Sequence, residues 1–109
     1  MSLRAPIAVP IEIRAAGRRA FRLSWNVGED GVLLERPGPF EPGRPVEVRL
    51  ALPEGEGQGA AAWALRAEVR SADDDDEESG GRELAFIDPP SDAREALRRY
   101  VHRRLGLPG

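Results

Sequence analysis

Val46, Val48, Leu50 and Leu52 stand at strict period two, with Glu47, Arg49 and Ala51 between them. Successive side chains of an extended chain point to opposite faces, so this pattern demands a strand with one apolar and one solvated face. The alternation recurs in shorter pieces. Val9, Ile11 and Ile13 alternate with Pro10, Glu12 and Arg14, and Ala15-Ala16-Gly17 then turns the chain. From Arg18 to Trp25 the chain carries Ala20, Arg22 and Ser24 on one side and Phe21, Leu23 and Trp25 on the other. It reads as the hairpin partner of the first strand. A glycine-bearing turn, Asn26 to Gly31, leads into the short apolar strand Val32–Leu34.

The proline- and glycine-rich stretch Arg36 to Pro45 excludes regular structure ahead of the Val46–Leu52 strand. After a flexible loop from Pro53 to Gly59, Trp63, Leu65, Ala67 and Val69 mark a fifth strand, and Leu84 to Ile87 a sixth. The acidic run between them, spanning residues 71–81, is expected as a solvated loop, because like charges repel and nothing there can be buried. Pro89-Pro90 ends the last strand, and Ser91 or Asp92 opens a helix over 91–105, with Asp92 and Glu95 at capping-box spacing. Ala93, Ala96, Leu97, Tyr100, Val101 and Leu105 give it one apolar stripe, arginines load its later turns, and Gly106 stops it. Six short antiparallel strands leave vulnerable edges unless they close on themselves. The expected fold is therefore all-β, a six-stranded antiparallel barrel (9–87) with a C-terminal amphipathic helix and a flexible N-terminal arm (1–8). Trp25 and Trp63 are expected in its core.

At 109 residues the chain is one domain. Its cations are all arginine, with no lysine and no threonine, as coding bias in a GC-rich genome would produce. The net charge of −3 is uneven: Asp73 to Glu78 hold six of the 19 acids, and the 16 arginines outnumber the other 13 acids by three. A mildly basic body suits a small anionic ligand. The negative total and 6% aromatic content speak against DNA or RNA as a partner. No stretch of about 18 uninterrupted apolar residues occurs, so membrane insertion is not expected. The opening residues lack the features of a secretory signal and there is no cysteine, so a cytoplasmic setting is expected. His102 has no second histidine to work with, the acidic run lacks calcium-loop spacing, and no catalytic set or metal site is evident. An enzyme is not expected.

The order of strands and helix resembles the PilZ domain, whose family marks are an RxxxR element before the first strand and a [D/N]xSxxG turn between the second and third. Here the turn reads Asn26-Val27-Gly28-Glu29-Asp30-Gly31, and Val32 to Glu35 is similar to the strand that follows it in the family. Gly43 to Leu50, Gly81 to Phe86 and the arginine-rich helix are further points of likeness. Two positions depart from the pattern. Gly28 stands where the family has serine, and Ala8 stands four residues after Arg4, where it has the second arginine. A literal RxxxR at Arg14 and Arg18 straddles the first hairpin and is read as a decoy.

The resemblance implies a bacterial module of cyclic di-GMP signalling, without a cofactor of its own. Arg4, Asn26, Gly28 and Gly31 would form the ligand site. An arginine fork can meet the paired acceptors of a guanine edge and stack on its face. An asparagine can accept guanine N–H groups, and glycine allows positive φ or close backbone approach. The missing arginine and hydroxyl would each remove about 1.5–3 kcal/mol of charge-assisted bonding. Arg18, Arg19 and Arg22 are the candidates to compensate. The same turn is also what Asn and Gly build with no ligand at all. Two readings follow: a non-enzymatic effector or adaptor with a weakened nucleotide site, or a protein-protein interaction module that does not bind cyclic di-GMP, its partner protein docking on the helix or an edge strand.

Overall fold

The computed structural model describes residues 3–52, 61–71 and 81–107. The expected loops at 53–59 and 71–81 lie almost wholly outside the described residues. The six expected strands are present as β2 (Pro10–Ala15), β3 (Arg18–Gly28), β4 (Gly31–Leu34), β5 (Pro45–Leu52), β6 (Ala61–Arg70) and β7 (Glu83–Phe86), followed by α1 (Ser91–Arg104). They pair antiparallel in the order β3-β2-β5-β6-β7-β4, and β4 pairs back onto β3 to close the barrel. Ile11, Ile13, Val48, Leu52, Val69 and Leu84 point inward and are essentially inaccessible. Each such burial is worth about 1.5–3 kcal/mol, which is why the period-two residues were reliable guides. A two-residue turn at Ala16-Gly17, both at positive φ, makes the β2–β3 hairpin.

The N-terminal arm is not a loose tail. Arg4–Ala5 form an additional strand, β1, which pairs with Gly28 and Val27 of β3. Ala5, Ile7 and Val9 are buried, so the arm contributes apolar contacts to the core. Between the Ala5–Val27 and Pro10–Leu23 pairs, four arm residues face three of β3. Ser24 fills the resulting gap: its buried hydroxyl accepts from the Val9 N–H at 2.9 Å and donates to the Ile7 carbonyl.

Trp25 also departs from expectation, being 60% exposed instead of lying in the core. The β3–β4 pairing steps from Ser24–Leu34 to Asn26–Leu33, and Trp25 is the residue left over. This bulge reverses the in–out alternation, so Ser24 points inward before it and Val27 after it. Trp63 is half-buried against the core.

Helix α1 ends one residue sooner than expected and packs on β3 and β1 through Ala93, Leu97, Tyr100 and Val101. The anticipated capping box does not form. Pro90 is the N-cap residue with no side-chain cap bond, Asp92 accepts from its neighbour Ala93 N–H, and Glu95 turns to Arg99. At the other end Gly106 takes φ +73°, and the amides of Gly106 and Leu107 bond the carbonyls of Arg103 and His102. This is the αL stop that glycine permits most readily.

Candidate functional site

All four candidate residues meet at one end of β3, where a Cβ on Gly31 would stand 3.2 Å from an Arg4 Nη. Asn26 and Gly28 follow the Trp25 bulge on the strand, and pairing of β1 with β3 sets Arg4 directly opposite Gly28. The Arg4 guanidinium is spread over three acceptors. Its Nε donates to Asp30 Oδ1 at 3.0 Å, one Nη to Asn26 Oδ1 at 3.0 Å, and the other to Glu83 Oε1 at 3.1 Å. The side chain is 20% exposed, and those of its carboxylate partners Asp30 and Glu83 are 48% and 33% exposed. One arginine thereby joins the arm, the β3–β4 turn and β7.

The glycines of the turn serve packing and not positive φ. A Cβ at Gly28 would stand 2.7 Å from the Leu3 carbonyl oxygen and 3.0 Å from Arg4 Cδ. A Cβ at Gly31 would overlap the Leu84 carbonyl oxygen and press on Ala85, the residue it pairs with. Gly31 is thus required where β4 meets β7, and its likeness to a ligand-turn glycine follows from barrel closure as well. Glu29, in the same turn, holds Arg98 of α1 at 3.0 Å.

Ala8 lies exposed between the inward-facing Ile7 and Val9, on the same side of the arm as Arg4 by alternation. Arg18 and Arg19 sit at the hairpin end of β3, paired with Ala15 and Arg14, while Gly28 ends the strand ten residues further on. At about 3.3 Å per residue, that is roughly 30 Å from Arg4, too far to replace a lost arginine there. The literal RxxxR of Arg14 and Arg18 lies at that distant end too. Arg22 spends its guanidinium on the Pro37 and Phe21 carbonyl oxygens.

A family model described as PilZ domain matches residues 2–103. The chain belongs to the PilZ domain family. No curated protein matches it. Among solved structures, the Bacillus subtilis inhibitor of motility (MotI/DgrA) is similar, with a TM-score of 0.77 at 22% identity over 95% of this chain and 50% of that one. The chain spans about half the length of that protein, and the likeness is one of fold. In this PilZ domain the turn reads Asn26 to Gly31 with Gly28 at its centre, and Arg4 of the arm is engaged by the domain's own acceptors. Sequence reasoning missed Asp30, Glu83 and Glu29. Asp30 and Glu29 occupy the unspecified positions of the turn motif, and Glu83 is 79 residues from Arg4, so no local spacing could have pointed to it.

No helix among the described residues is long and apolar enough to cross a membrane. No group of three or more His, Cys, Asp or Glu among them could hold a metal ion.

Proposed function

We propose that this PilZ domain is a non-enzymatic effector or adaptor of cyclic di-GMP signalling whose own nucleotide site, at Arg4, Asn26, Gly28 and Gly31, is weakened. The observation that carries this reading is the triple engagement of Arg4. An arginine already bonded to two carboxylates must break charge-assisted bonds before it can grip a guanine edge or a phosphate. The ligand's two phosphates would also approach Asp30 and Glu83 themselves. Ala8 supplies no second fork, and Gly28 no hydroxyl.

Calorimetric titration with cyclic di-GMP tests this. The wild type is expected to bind more weakly than about 100 μM, short of about −5.5 kcal/mol. Asp30→Asn with Glu83→Gln should bind at least tenfold more tightly, because it frees Arg4 and removes repulsion. Low-micromolar binding by the wild type, unaffected by Arg4→Ala, would sink the proposal. The second reading, a protein-interaction module that takes no nucleotide, draws support from the Leu3 carbonyl lying where a serine at position 28 would need room. Complete absence of heat from wild type and double variant alike would favour it.

A further inference from the structure

On the outer face of β3, Phe21, Leu23 and Trp25 alternate toward solvent and are 58%, 47% and 60% exposed. Three large apolar side chains in a row on one strand form a patch, unlike a single exposed leucine. The surface around them is not flat. A hollow of about 390 Å³ lies beside Ala51, Ala62 and Ala64, and a second of about 380 Å³ lies beside Leu23. Pro10 and Phe21 line both and form the wall between them.

The rim is basic. Arg14, Arg18, Arg19, Arg22, Arg36 and Arg49 border these hollows and the adjoining β2–β3 hairpin, against Glu12, Glu35 and Glu47. Glu12 is shared by Arg14, Arg19 and Arg49 at 3.5, 3.7 and 3.9 Å, and Arg49 is also paired with Glu47 at 2.8 Å. Among the described residues Arg22 bonds carbonyl oxygens alone, and Arg19 lies over the Phe21 ring at 5.6 Å. An apolar floor with surplus arginine at its edge has an electrostatic complement.

We infer that this face docks an acidic, apolar segment of a partner protein, with its hydrophobic side chains in the two hollows and its carboxylates on the rim arginines. The inference deepens the adaptor reading and rests on it. A second copy would bring the same arginine excess against itself. A lipid surface needs no hollows and would meet three interleaved glutamates.

The test is selection of 16-residue peptides from a random displayed library on the full chain, followed by calorimetry with the selected peptides. The expected peptides pair aromatic or aliphatic residues with Asp or Glu, and weaken strongly at high salt. Phe21→Ser and Trp25→Ser should each lower their affinity at least tenfold, and Arg49→Glu should do so to a smaller extent. With Trp63→Phe, Trp25 is the one remaining tryptophan, and its emission should shift to the blue on binding; the calorimetry stands without this variant if it fails to fold. No enriched peptide, or peptides that bind Phe21→Ser and Trp25→Ser as they bind the wild type, overturns the proposal. So does a wild-type dimer that these substitutions dissociate, or capture by phosphatidylglycerol vesicles that they abolish. Cyclic di-GMP titrations of the same variants should match the wild type, so failure of the docking face and failure of the nucleotide reading are told apart.

Discussion

The two halves of β3 make opposite use of their surroundings. Beyond the Trp25 bulge, Asn26 to Gly28 are covered by the arm, and the turn that follows is tied to β7 through Arg4 and to α1 through Arg98. Before it, Phe21 and Leu23 carry large apolar groups into solvent, with the Arg19 guanidinium over the Phe21 ring and no strand or helix laid across them among the described residues. The family motif marks the covered half, where the ligand would be expected. The uncovered half carries no motif. A site closed by the domain's own side chains beside another face left apolar and open is the contrast on which the proposed adaptor reading rests.

This contrast can be broken by substitution. The largest effect belongs to Gly31→Ala, whose methyl overlaps the Leu84 carbonyl where β4 meets β7. It should cost about 3 kcal/mol or prevent folding, since overpacking against backbone has no cheap relief. Stability within 1 kcal/mol of wild type by urea unfolding, on the order of the method's scatter, would refute the close approach. Ser24→Ala comes next. It strands the buried Val9 N–H and Ile7 carbonyl, costing about 2 kcal/mol. Faster hydrogen exchange across residues 4–9 should accompany that loss.

Arg4→Ala should destabilise the ligand-free protein by about 1–2 kcal/mol, after discounting for the solvent that reaches Asp30 and Glu83. A residue kept only to hold nucleotide would leave the ligand-free stability unchanged, so this variant sharpens the comparison most. Phe21→Ser and Trp25→Ser should stay within about 0.5 kcal/mol of wild type, because those side chains are already in water. Ala8→Arg should be equally neutral, whereas Gly28→Ser must push the Leu3 segment away.

The smallest effect is that of Glu95. Its hydrogen bond to Arg99 holds its carboxyl below the usual range. A depressed native pKa contributes stability that is present above the unfolded pKa and lost as pH falls through the folded one. Acidification through that window and Glu95→Gln should therefore act in the same direction. Both should move Tm by about a degree at most, as is usual for a surface i,i+4 pair.

The barrel and its helix were legible because burial writes itself into period two and into 3-4-7 spacing. Ile11 to Ile13 and Val46 to Leu52 lie where alternation put them. The arm was not legible. Only two of its residues enter a strand, Pro6 interrupts the pattern, and its anchoring depends on a hydroxyl supplied by Ser24. Trp25 was misread because the Phe21-Leu23-Trp25 side of β3, the more apolar one in sequence, is its outer face, while Ala20 and Ser24 face the core. The bulge that follows, which nothing local announces, changes the face only from Val27 on. At the candidate site, Arg4, Asn26, Gly28 and Gly31 lie together. The partners that occupy Arg4 were hidden, since Glu83 comes from a strand near the other end of the chain.

The central claim is that Arg4 belongs to the fold before it belongs to any ligand. The Arg4 Nε–H resonance in arginine-labelled protein reports this directly. A slowly exchanging signal is expected in the free protein, one that Asp30→Asn weakens and that about 100 μM cyclic di-GMP leaves in place, given an expected Kd above that concentration. A rapidly exchanging signal in the free protein that sharpens and shifts at low-micromolar cyclic di-GMP would contradict it.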